Sequence, residues 1–211
     1  DAWRDRIEEM ERTKTRLSDL ANSAQLECKD QNGTNFCWAH GPVHAIEVLR
    51  VIQGEPRVSL SPASVACKIN NFKNRGGWGT TALKYIVEHG VVTEEEWPPN
   101  AIERRRDTDE AWVDAKKYRV VEWWDVEPRN LDQLFSCLFA RIPVAVGFNF
   151  WRHEVCAYDP VALSDGFGLR IRNSWGMEWG ERGYSVLTGD KMLPDDAVAP
   201  RAAIPTAMGG D

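Results

Sequence analysis

Cys37, His153 and Asn173 stand far apart in the chain, yet their types suit one reaction. Cys37 lies in Gln31-Asn32-Gly33-Thr34-Asn35-Phe36-Cys37-Trp38-Ala39, where a turn enters a predicted helix. Backbone amides and the dipole at a helix N-terminus favour a thiolate over a thiol, and the thiolate is the nucleophile. A leaving amine then needs a proton, which a histidine beside the sulfur can supply. His153, in a strand-like stretch, is the candidate. The imidazole must itself be held by a third group. Asn173, in Asn173-Ser174-Trp175-Gly176, can do this through its amide without adding charge.

Other chemistry-bearing residues read differently. His40 and His44 are four apart on a helix, a spacing that can serve a metal. Nothing nearby supplies a third ligand, so core packing is the expectation, and neither metal nor cofactor is expected. Five cysteines leave at least one thiol unpaired. Cys28, Cys67, Cys137 and Cys156 read as small buried hydrophobes.

The elements that must position these groups follow from pattern and punctuation. Residues 1–24 predict one amphipathic helix, with Trp3, Ile7, Met10, Leu17, Ala21 and Ala24 on one face. Docking on its own domain is the expectation, and a partner protein bound to that stripe is the alternative. A helix from about Phe36 to Ile52 carries Cys37 at its start and Pro42 near it, with Gly54 and Pro56 beyond its end. Further helices are expected from Pro62 to Ile69 behind Ser61, from Thr80 to His89 before Gly90, and from Leu131 to Ala140 after Asn130. Residues 93–110, with Pro98-Pro99 and the run Glu103 to Arg106, read as an irregular surface segment. Short strands are expected at Arg119–Val126, Pro143–Phe148, Glu154–Tyr158, Gly168–Arg172 and Gly183–Leu187. Residues 194–211, rich in Pro, Ala and Gly, read as a tail or linker. Helices first and strands second imply an α+β protein of two lobes.

Composition sets the frame. A chain of 211 residues with 43% hydrophobic and 27% charged residues fits one large domain or two lobes around a real core. A net charge of −6 argues against sequence-independent nucleic-acid binding. No apolar run approaches the roughly 20 residues of a membrane-spanning helix. The chain opens at Asp1 without a signal-like segment, which reads as a processed form or an excerpt.

The segment Asn173-Ser174-Trp175-Gly176-Met177-Glu178-Trp179-Gly180-Glu181-Arg182-Gly183-Tyr184 resembles, nearly residue for residue, the catalytic-asparagine motif of papain-family (cathepsin-like) cysteine peptidases. Ala82 to Pro98 and Ile142 to Val146 are similar to two further segments of that family, and the resemblance covers roughly residues 28–190. It implies a papain-like fold: an extension at 1–27, a helical lobe at 28–115, a β-rich lobe at 116–193, and a cleft between the lobes. It implies peptide-bond hydrolysis by Cys37, His153 and Asn173, with Gln31 as oxyanion-hole donor. By the same matching Gly76, Gly77, Trp151 and Trp179 bind substrate, and Trp175 shields the His–Asn contact. The implied partner is a peptide or protein substrate.

The chain also departs from the family. Thr34, Asn35 and Phe36 precede Cys37, so an upstream cysteine is missing, and Asn74-Arg75 stands where its disulfide partner belongs. Losing both halves together reads as a coherent variant and leans towards an intracellular or assembly-associated setting. The segment between Phe150 and His153 is short where relatives carry a longer cleft wall, so selectivity on that side does not carry over. Two further readings follow. One is processing of itself or of a partner within a larger assembly. The other, prompted by Glu154, Pro42 and the short wall, is a catalytically silent binding module.

Overall fold

The N-terminal stripe forms two helices rather than one in the computed structural model, which describes residues 2–205. Helix α1 (Ala2–Thr13) stops before Lys14, whose φ of 57° is left-handed and cannot continue a helix. Helix α2 (Leu17–Ser23) restarts behind Arg16, whose guanidinium and backbone N–H both donate to Asp19. The stripe is buried on the protein's own sheet lobe. Ile7, Met10, Leu17 and Ala21 are buried, and Trp3 packs 4.9 Å from Phe135 and 5.4 Å from Phe167 between ring centroids. Trp3, Leu17 and Ala21 thus pack with residues of the β-rich lobe.

Helix α3 (Cys37–Ile52) is the spine. It is buried continuously from Trp38 to Arg50, as suits a helix apolar on most of its circumference. It runs unbroken through Pro42, which sits close enough to the start to forfeit only one internal hydrogen bond. Ala39, Val43 and Ile46 face the helical lobe, while Ala45 and Val48 face the sheet. Helix α4 (Pro62–Asn70) is capped by Ser61, whose Oγ accepts from the Ser64 amide at 3.3 Å. Helix α5 (Gly79–His89) ends at Gly90, where a β-carbon would stand 1.8 Å from the Ala115 carbonyl oxygen. Helix α6 (Asp109–Trp112) and two 3-10 turns carry the irregular segment, and α7 (Leu131–Phe139) is capped by Asn130.

Six strands form one antiparallel sheet: β1 (Val120–Asp125), β2 (Val144–Phe148), β3 (His153–Ala162), β4 (Phe167–Arg172), β5 (Tyr184–Thr188) and β6 (Asp196–Ala203). Their order is β1-β6-β2-β3-β4-β5. Strand β6 corrects the expectation of a tail over 194–211. Residues 196–203 insert between β1 and β2, with Ala197, Val198 and Ala199 fully in the core. Alanine and proline disguised the strand, although small side chains suit a position packed against α3. Residues 206–211 of the expected tail lie outside the described residues. All five cysteines are free thiols.

Candidate active site

Three elements meet at the candidate site. Cys37 is the first residue of α3, and the backbone amides of Glu154 on β3, of Trp38 and of Cys37 itself favour its thiolate. The start of β3, which carries His153, packs closely on the first turns of α3, where a β-carbon on Gly41 would stand 3.3 Å from both the Glu154 side chain and the Val155 carbonyl oxygen. His153 and Asn173 are both buried, with His153 Nε2 2.6 Å from Asn173 Oδ1. An amide oxygen only accepts, so Nε2 carries the hydrogen and Nδ1 is left to take a proton. The same Oδ1 accepts from the Ser174 amide at 2.8 Å, and the Asn173 amide donates to the Gly183 carbonyl at 2.8 Å.

The segments holding Gln31 and Asn173 are laced together. The Gln31 amide donates to the Ser174 carbonyl at 2.7 Å, and the Gly176 amide to the Lys29 carbonyl at 3.0 Å. Ser174 Oγ donates to Gln31 Oε1 at 2.7 Å, which fixes the side-chain amide, while Nε2 donates to the Thr34 carbonyl at 2.9 Å. The second hydrogen of Nε2 meets no acceptor among the described residues. Ser174 is a positioning residue that sequence reasoning passed over, although it stood inside the motif.

Where the family resemblance calls for a disulfide, hydrogen bonds cross the same gap. The Asn35 amide donates to Asn74 Oδ1 at 2.7 Å, and Asn74 Nδ2 donates to the Gly33 carbonyl at 3.2 Å. This clamp ties the nucleophile loop to the Gly76-Gly77 loop. Trp38 Nε1 adds a bond to the Arg75 carbonyl at 3.1 Å. A β-carbon on Gly77 would stand 2.6 Å from the Trp38 ring, so only glycine allows this approach, whereas Gly76 faces open space.

Aromatic rings wall the imidazole. Trp175 stacks on His153 at 4.7 Å and Trp151 meets it edge-on at 4.9 Å. Trp179 packs against both tryptophans, at 5.9 and 6.1 Å. The wall expected to be short is a turn of only residues 149–152, which places Trp151 on His153 itself. Phe150, 55% exposed, extends it outward.

Burial pushes the Cys37 thiol up and the His153 imidazole down, so each charge alone is disfavoured. The facing amides pull the thiol back, but burial outweighs them, contrary to the expectation from the helix N-terminus alone. Glu154 adds a carboxyl beside the sulfur that a charged state would turn against the thiolate. Burial first, then Asp196, hold the Glu154 carboxyl well above the usual carboxylate range, opposed by the Gly79 amide. Its Oε1 has no hydrogen-bond partner among the described residues.

A buried polar chain, unseen in the sequence, runs behind the site. Lys29 Nζ reaches Glu47 Oε1 at 2.8 Å, Glu94 Oε1 at 2.7 Å and the Leu60 carbonyl at 2.8 Å. Glu47 also accepts from the Leu60 amide and meets His44 Nδ1 at 3.1 Å, and His44 Nε2 meets the Tyr158 hydroxyl at 2.6 Å. This network joins α3 to β3. His40 instead meets Asn100 Oδ1 at 3.3 Å, so the two histidines serve packing and hydrogen bonding.

The sequence profile of the papain family cysteine proteases matches residues 16–165. The chain belongs to the papain family of cysteine proteases. Mexicain from Jacaratia mexicana is 31% identical over 176 residues, 74% of this chain and 79% of that protein. Chymopapain from Carica papaya is 28% identical over 79% of this chain, which spans 53% of that protein. Among solved structures, procathepsin L 3 of Tenebrio molitor superposes at a TM-score of 0.70 and 21% identity, covering 83% of this chain and 66% of that one. Xylellain from Xylella fastidiosa superposes at 0.67 and 20% identity, covering 84% and 83%. These structures share the papain-like α+β fold. Membership makes this papain-family chain a thiol peptidase whose substrates are peptides. No helix among the described residues is long and apolar enough to cross a membrane.

Proposed function

We propose that this peptidase works through Cys37, His153 and Asn173 by way of an acyl-enzyme. The observation that carries the reading is the His153–Asn173 contact of 2.6 Å beneath Trp175, on a strand packed against α3, the helix that Cys37 opens. Because burial disfavours each charge alone, Cys37 and His153 ionise together, the thiol proton passing to His153 Nδ1. The sulfur attacks the scissile carbonyl carbon. The Cys37 amide and the uncommitted Gln31 Nε2 hydrogen bind the oxyanion, each worth about 3–4 kcal/mol. The C–N bond breaks as His153 protonates the amine, leaving a thioester. Water then attacks the thioester, giving its proton to His153; the C–S bond breaks and the proton returns to sulfur.

Asn173 orients the imidazole, and Trp175 keeps water from that contact. Gly76 and Gly77 offer backbone to an extended peptide, and Trp151 and Trp179 form the opposite wall. An assembled His–Asn pair under its tryptophan favours catalysis over a silent binding module. Cys37→Ala should leave a folded protein that cleaves no peptide from a library and resists a thiol-directed epoxide. Residual cleavage by that variant would remove Cys37 from the reaction. If the chain processes its own precursor, mature ends will differ between wild type and Cys37→Ala.

A further inference from the structure

A cavity of about 1100 Å³ lies outside the cleft, behind the strand that leads into Asn173. Its wall carries Arg170 and Arg172, two apart on β4 and so on one face of the strand, with Arg57 and Arg182 at the rim. Four guanidinium groups gather here in a chain of net charge −6. Glu27 and Glu181 also line the cavity, but no ion pair joins either to these arginines among the described residues.

The arginines' own partners leave capacity unspent. Arg57 donates to the Gln25 carbonyl at 2.8 Å, and Arg170 stands 3.9 Å from Asp159. Arg172 is nine-tenths buried: it donates to the Leu26 carbonyl at 2.8 Å and to Met177 Sδ at 3.7 Å, its guanidinium lies 4.6 Å from the Tyr184 ring centroid, and its Nε, itself buried, has no acceptor among the described residues. A guanidinium fork matches tetrahedral oxyanions in bidentate geometry. Ser185 lies in the same lining, as does Ser18, whose hydroxyl is committed to Asp159 and accepts from Arg170 at 3.4 Å. The volume sits at the upper end of small-molecule sites, beyond what a single phosphate fills.

From this juxtaposition we infer that the cavity is a binding site for a small molecule bearing two or more phosphate-type groups, separate from the peptide cleft. Arg57 and Arg182 reach it from the rim, and Arg170 and Arg172 from its wall.

Pyrophosphate is the probe. Titrated into the full chain at constant ionic strength, it should raise the melting temperature saturably and more tightly than inorganic phosphate does. Arg57→Gln/Arg182→Gln changes two exposed side chains and spares the fold; it should weaken pyrophosphate at least tenfold. Arg104→Gln/Arg105→Gln, elsewhere on the surface, should leave the affinity unchanged. No saturable response in wild type, or equal affinity in the rim variant, would overturn the site.

Discussion

Lys29 is the residue whose loss should tell most about how the lobes hold together. Its ammonium is buried against two carboxylates and a carbonyl, with Glu47 inside the protein and Glu94 partly open to water. Lys29→Met removes the only cation of this network and strands Glu47, whose carboxylate already accepts from the Leu60 amide. Breaking one half of a buried pair costs roughly 3–5 kcal/mol, because the surviving charge is left without compensation. Exposure of Glu94 places the expected cost near the lower end, about 3 kcal/mol. For a chain of this size that lowers the melting temperature by about 6–12 °C. Lys29→Met/Glu47→Gln should recover part of the loss, since the stranded charge is gone while an acceptor for Leu60 remains. Lys29 is held above its ordinary value by Glu47 and Glu94, so its contribution is present at neutral pH and fades only as pH rises through that raised value. Glu47 is held below its ordinary value, chiefly by Lys29, so its contribution fades only in acid. Thermal unfolding at pH 7 followed by circular dichroism is the assay. A single variant within 2 °C of wild type, or a double variant no more stable than the single, would refute the reasoning.

Acid should also destabilise the protein through His40, which burial lowers to about 3. The unfolded chain takes that proton near 6.5, so stability is full above 6.5 and falls below it, by about 2 kcal/mol at pH 5. Urea midpoints for wild type and His40→Leu should therefore converge by that amount between pH 7 and 5; parallel pH curves would contradict it. Glu154 acts in the opposite direction on the nucleophile. Neutral while protonated, it spares the thiolate, and ionisation at higher pH opposes it. Alkylation of Cys37 by iodoacetamide in Glu154→Gln should match wild type in acid and exceed it above the Glu154 transition, and superimposable profiles would exclude that role.

The candidate site residues were legible because a catalytic site demands particular types in a particular order. Cys37 before an apolar run and Asn173 inside a tryptophan–glycine motif announce themselves. The spine helix was legible as well, since its apolar run and its stop at Gly54 agree. Strand β6 was not, because Ala-Val-Ala-Pro has no alternating pattern when both faces are covered, and proline argues against a central strand. The break at Lys14 was hidden by a stripe whose spacing happens to continue across it. Long-range polar pairs such as Lys29 with Glu47 and Glu94, or Asn35 with Asn74, carry no local signal at all. Polar side chains in an otherwise apolar helix, as at His44 and Glu47, were the hint that something must meet them inside.

The Asn74 clamp has a practical corollary for handling the protein. A thiol enzyme is kept active by reducing agents, and a fold stapled by disulfides is weakened by the same agents. Here Asn74 bridges the two cleft loops with amides, and every cysteine is already a thiol. Reductant strong enough to keep Cys37 from oxidising therefore has no structural bond to attack, so the redox conditions that favour the nucleophile and those that preserve the cleft are the same.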